Sequence, residues 1–139
     1  MTWHLVPPDL ATDLWPAVAP LLQRGIDEVP IVTLDDVLAH VLEQRADLLV
    51  LLVSGQVKAA LVIEVHRHPG GSVANVWLMG GEPGFLLAEV GGMEDATMEW
   101  ARAHDCSKIM FTGRPGWSKF EADRGWHTRR AIIAWKALP

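Results

Sequence analysis

The chain has 139 residues, half of them hydrophobic, and a formal net charge of −5. That is one domain's worth of sequence with its own core, and the charge argues against a general binder of phosphate backbones, which would be basic. A single cysteine, Cys106, excludes an intramolecular disulfide, and neither a signal peptide nor an apolar run of the ~20 residues that span a membrane is found, so a single cytoplasmic domain over residues 1–139 is expected.

In chain order, residues 3–6 predict a short strand ended by Pro7-Pro8. Asp9 or Thr12 can cap a helix in which Trp15, Val18, Leu22 and Ile26 share one face, and Pro16 and Pro20 predict that it starts late or kinks. Pro30 makes residues 29–32 a connector. Thr33 and Asp36 read as a capping box opening a second amphipathic helix through Leu34, Val37, Leu38, Val41 and Leu42. Residues 46–54 are an apolar run of strand length, Ser54-Gly55-Gln56 a tight hairpin turn, and residues 57–65 the antiparallel partner. Pro69-Gly70-Gly71 turns the chain into residues 73–79, which completes a meander.

The segment Gly80-Gly81-Glu82-Pro83-Gly84 breaks that strand, and Leu86, Val90, Met93, Thr97 and Trp100 recur at the spacing of one long helix. Residues 108–112 predict another strand. Gly113-Arg114-Pro115-Gly116-Trp117 then makes a turn, residues 114–120 a short helix, and Gly125-Trp126 leads into a last strand over residues 131–135. Cys106, between the long helix and its strand, reads as a small packing residue in a reducing compartment. The pattern β-α-α-β-β-β-α-β-α-β defines an α+β domain, with a mixed and mostly antiparallel sheet carrying helices on both faces.

That order, with Val76-Trp77-Leu78-Met79 running into Gly80-Gly81-Glu82-Pro83-Gly84-Phe85 and with Gly125-Trp126 before the last strand, resembles the GCN5-related N-acetyltransferase family. Its short bacteriophage and prophage members are the most similar, since Gly-Gly after the fourth strand and Gly-Arg-Pro-Gly-Trp after the fifth recur there. The resemblance covers nearly the whole chain by element order and implies acyl transfer from acetyl-CoA to an amine, on a small molecule or a protein. Backbone N–H groups after the fourth strand would cradle the coenzyme's pyrophosphate at a helix start. The positions implied for the cofactor are Trp77, Leu78, Met79, Gly80, Gly81, Gly84, Arg114 and Trp117. N–H groups near Leu78 and Met79 would polarise the thioester carbonyl. The resemblance also allows a homodimer.

For chemistry, an amine must lose a proton, and Glu64, His66, His68 and Glu82 are the candidate bases, with Glu64 preferred. Ser118 can donate to the leaving thiolate. Glu64, His66 and His68 share one strand face at metal-ligand spacing, but an exposed polar strand end explains them better, and no metal is expected. His127, Arg129 and Arg130 make a small basic patch that reads as a solvated strand end. Two departures from the family stand out. No basic residue lies between positions 73 and 99, where Glu82 and Glu89 add negative charge, and the chain has no tyrosine to serve as the thiolate's acid. Trp77 and Trp117 could flank a working cleft or plug a retired one. The alternative function is a non-catalytic structural or protein-interaction module on the same fold.

Overall fold

Five strands form one sheet in the order β1-β2-β3-β4-β5 in a computed structural model that describes residues 2–28, 31–113, 124–129, 131 and 133–139. The strands are β1 (Thr2–Val6), β2 (Asp47–Val53), β3 (Gln56–His68), β4 (Gly71–Gly81) and β5 (Lys108–Phe111). The first four pair antiparallel, and only β4 and β5 run parallel. The meander forms because Ser54 and Gly55 both take positive φ, 51° and 77°, the geometry that joins two right-twisted strands by two residues.

Helices cover both faces, as the sequence predicts. On one face lie α1 (Pro8–Glu28) and α2 (Leu34–Leu42). Trp15, Val18, Leu22 and Ile26 of α1 and Val37 and Val41 of α2 pack there against Leu48, Val50, Ala60, Val62 and Leu78. On the other face Met93, Trp100 and Ala101 of α4 (Val90–Ala103) meet Leu49, Leu61, Ile63, Ala74 and Val76. After Asp47, β2 is apolar from Leu48 to Val53 because its alternate residues serve both layers.

Four expectations are corrected. Pro16 and Pro20 do not delay the first helix, which begins at Pro8 and runs through both. Both prolines are exposed and four residues apart, so the carbonyls they leave unbonded face water, and the buried stripe holds the helix together. The glycine pair does not end β4, which continues to Gly81. The long helix is two pieces, α3 (Phe85–Ala88) and α4, separated at Glu89. The described part of residues 131–135 carries no strand, and the turn and short helix expected over residues 114–120 lie outside the described residues.

The capping box is present. Thr33 Oγ1 accepts from the Asp36 N–H at 3.1 Å, and Asp36 Oδ2 accepts from the Thr33 N–H at 2.8 Å. The Thr33 backbone N–H, and then its side chain, hold the Asp36 carboxyl below its ordinary 3.8. A carboxyl lowered in this way adds stability above its unfolded pKa and gives it up as pH falls through the folded value. Asp36→Asn should therefore lower Tm by a few degrees near neutral pH, and the gap to the parent should close as the pH drops below about 3.8. Melting curves across the acidic range check this, and a gap that is constant with pH would refute it.

Candidate acyl-transfer cleft

The candidate site is built by a bulge. Val62 of β3 pairs with Leu78 and Ile63 pairs with Val76, so Trp77 is an extra residue in β4. A bulge bends its strand and re-aims side chains. Here it puts Trp77 on the same layer as Leu78, where its ring meets the His40 ring of α2 edge-on with centroids 5.3 Å apart. Pairing between β4 and β5 stops one residue earlier, at Val76 with Phe111. Beyond that point residues 77–81 have no partner on the β5 side among the described residues. The two parallel strands part there, so the backbone groups of β4 that point away from β3 have no strand partner among the described residues.

A cavity of about 500 Å³ fills this gap, within the size range of small-molecule sites. Its floor is Trp77, Leu78, Met79, Gly80 and Gly81. Phe111, Thr112 and Gly113 form the β5 side, and Leu21, Arg24, Gly25 and Ile26 of α1 with Ile31 and Val32 form the other. Leu86 of α3 and Ile133 complete it. Gly80 lets α1 approach this closely, because a Cβ there would overlap the Leu21 carbonyl and stand 2.7 Å from its carbon.

The acidic loop after β4 is balanced from β3. Lys58 Nζ bonds both Glu82 carboxylate oxygens, at 3.2 and 3.1 Å, and lies 5.9 Å from the centre of the Phe85 ring. The cation missing from the segment between residues 73 and 99 is thus supplied by a residue on the neighbouring strand. Glu82 N–H donates to the Lys58 carbonyl at 2.9 Å, which fixes the loop to β3. Gly84 takes φ 86° and opens α3, outside the cavity wall.

Of the positions predicted from sequence, Trp77, Leu78, Met79, Gly80 and Gly81 come together on the cavity wall. Glu64 does not. It pairs with Asn75, two residues before Trp77, and its Oε1 accepts from Asn75 Nδ2 at 3.3 Å and contacts His66 Nε2 at 2.8 Å. His66 and His68 sit beside it with ring centroids 6.3 Å apart, on the strand end beyond the cavity. Arg114, Trp117 and Ser118 lie outside the described residues. Arg24, Lys58, Phe111 and Thr112 are additions that no local pattern in the sequence marks. Burial pushes the Cys106 thiol above its ordinary value, in keeping with a packing role rather than a nucleophilic one.

A meander of antiparallel strands, one parallel strand, a bulged β4 that splays from β5, and helices on both faces define the acyltransferase fold of the GCN5-related type. No protein-family model matches the chain, and no curated protein sequence does. Solved structures match its fold over almost its whole length. An aminoglycoside acetyltransferase from an uncultured soil metagenomic sample, in complex with sisomicin, has a TM-score of 0.75 at 7% identity, with 99% of this chain and 96% of that one covered. A "predicted acetyltransferase with acetyl-CoA" from Clostridium acetobutylicum has a TM-score of 0.67 at 16% identity, with 97% and 95% covered. The ribosomal-protein-alanine N-acetyltransferase of Brucella melitensis biovar Abortus 2308 has a TM-score of 0.66 at 16% identity, with 98% and 100% covered. At these identities the likeness is one of fold.

Proposed function

We propose that this protein is an acyl-CoA-dependent N-acetyltransferase of the GCN5-related family, moving an acetyl group from acetyl-CoA to an amine. The observation that carries the reading is the parting of β4 from β5 after Val76, with residues 77–81 lacking a partner on the β5 side among the described residues, beside a cavity of about 500 Å³. The residues present fit the donor. An extended acyl-pantetheine arm can take the place of a strand along β4, and Lys58 leaves the glycine loop less acidic than its sequence alone implies.

Acetyl-CoA supplies a thioester whose carbonyl carbon takes the amine, the C–N bond forming as the C–S bond breaks and the amine's proton leaving so that the coenzyme departs as a thiol. The chain's own part is positioning. N–H groups of residues 77–81 that point away from β3 are proposed to orient the carbonyl and stabilise charge on its oxygen, the donor being whichever of Leu78 and Met79 turns its N–H from β3, since consecutive strand residues point to opposite edges. The Trp77 ring, held by His40, walls the cleft on the α2 side. Glu64 is the proposed base. It lies two strand residues from Trp77, about 7 Å along β4, so its proton transfer runs through water. Asn75 keeps that carboxylate in place. Ser118 is the proposed donor to the thiolate, a duty no tyrosine can take in this chain, and Arg114 and Trp117 are proposed contacts of the coenzyme.

Calorimetric titration with acetyl-CoA tests the reading. Micromolar binding is expected, and Thr112→Trp, which fills the β5 side of the cavity from an exposed position, should abolish it without lowering Tm. No detectable binding to the parent protein would end the enzyme reading and turn attention to a non-catalytic role.

A further inference from the structure

We infer that the acceptor is an amine carrying a carboxylate on an apolar body, of the free-amino-acid kind, and that Arg24 recognises the carboxylate; this rests on the acyl-transfer reading of the cleft. The α1 side of the cavity is apolar at Leu21, Ile26, Ile31 and Val32, and Arg24 is the one charged side chain on the wall among the described residues. A cavity whose one charged side chain among the described residues is a guanidinium favours a ligand with a carboxylate, because a planar carboxylate can take two parallel N–H bonds from it.

Arg24 is also exposed and free to bond a ligand. It forms no ion pair or hydrogen bond with any described residue, while its neighbour Asp27, which could have paired with it one turn on, accepts instead from Gln23 Nε2 at 2.7 Å. Its place is fixed by packing on both sides in the chain. Leu21 touches Gly80, and a Cβ on Gly25 would stand 3.1 Å from Leu78 Cδ2, so this turn of α1 lies directly on the end of β4. Arg24 therefore reaches the cavity from the α1 face. The loop that would receive the donor's phosphates begins at Gly81, whose side-chain direction points to Ala59 and Leu86 on the opposite face, and that loop has its own cation in Lys58.

The test is equilibrium binding of a matched pair, phenylalanine and phenylalaninamide, to the CoA-saturated protein, with the CoA titration itself run alongside. The carboxylate is expected to bind about tenfold or more tightly than the amide. Arg24→Gln should erase that ratio, and Arg24→Lys should restore part of it, with CoA affinity unchanged in both variants. Equal binding of the two probes, or binding of neither, overturns the inference while leaving the donor site standing if CoA still binds. An Arg24→Gln protein that loses CoA affinity but keeps the carboxylate-to-amide ratio also overturns it, by giving the guanidinium to the donor's phosphates. If CoA itself fails to bind the parent, both readings fall together.

Discussion

Gly80→Ala is expected to destabilise the protein by about 3 kcal/mol or more, at or above the upper end of ordinary overpacking. A Cβ at this position would overlap the backbone carbonyl of Leu21, and backbone cannot turn aside as a side-chain tip can. Two responses are open. Either α1 lifts away from β4, which exposes Leu22 and Leu78, or β4 bends further at its bulge. Both disturb the cavity, because Leu21 and Gly80 face each other across its wall. Denaturant unfolding should show the loss, and acetyl-CoA affinity should fall with it in whatever fraction stays folded. Gly70→Ala is the control, since a Cβ there meets nothing within 4 Å. If Gly80→Ala unfolds within about 0.5 kcal/mol of the parent, the close crossing of α1 over β4 is not a constraint on this fold.

The same crossing shows why part of the site could be read from sequence and part could not. Local chemistry was legible. Thr33 and Asp36 announce a helix start by themselves, Ser54-Gly55 announces a hairpin, and the apolar runs around Leu48 and Val62 announce buried strands. From those elements in order, the sheet, its covering helices and the floor of the cleft at residues 77–81 follow. What stayed hidden depends on residues far apart in the chain. Arg24 enters the cavity because α1 lies on β4, more than fifty residues later, and Lys58 reaches Glu82 across a strand pair. A charge read along the sequence makes the loop after β4 acidic, whereas read across the sheet it is paired.

The errors have the same origin. Pro16 and Pro20 break helices when the bonds they remove are buried, and the buried stripe of α1 places both on the wet side instead. A glycine pair reads locally as a strand break, but Gly80 and Gly81 are in β4 because Ala59 and Ala60 of β3 pair with them, and glycine is what lets α1 pass over. The helical period from Leu86 to Trp100 is real on one face, but it does not reveal that the helix is interrupted at Glu89. Glu64 is a different case, a proposed base whose distance from the cleft no local pattern gives. The register then set it beside Asn75 rather than on the cavity wall, because the one-residue bulge lies between that pair and Leu78.

Trp100→Ala should cost about 3–5 kcal/mol, the range for emptying a buried aromatic site. Trp100 is 7% exposed and belongs to the cluster in which α4 packs against Leu61, Ile63 and Val76. It also carries a polar tie, since its indole N–H donates to Asp47 Oδ2 at 2.8 Å, joining α4 to the start of β2 across 53 residues of sequence. The His104 ring stacks on it at 3.8 Å between centroids and lies 3.7 Å from the same carboxylate. Trp100→Phe separates the two contributions: it keeps an aromatic ring in the cluster and removes the donor. That loss should cost about 1–2 kcal/mol, the lower part of the range for a bond to a charged group, because the Asp47 side chain is 25% exposed and water can replace the indole. If the two variants unfold at the same denaturant concentration, the hydrogen bond rather than the ring holds α4 down. If Trp100→Ala costs less than about 1 kcal/mol, the layer behind β4 is not what keeps that strand in place, and the splay from β5 must be maintained from the α1 side alone.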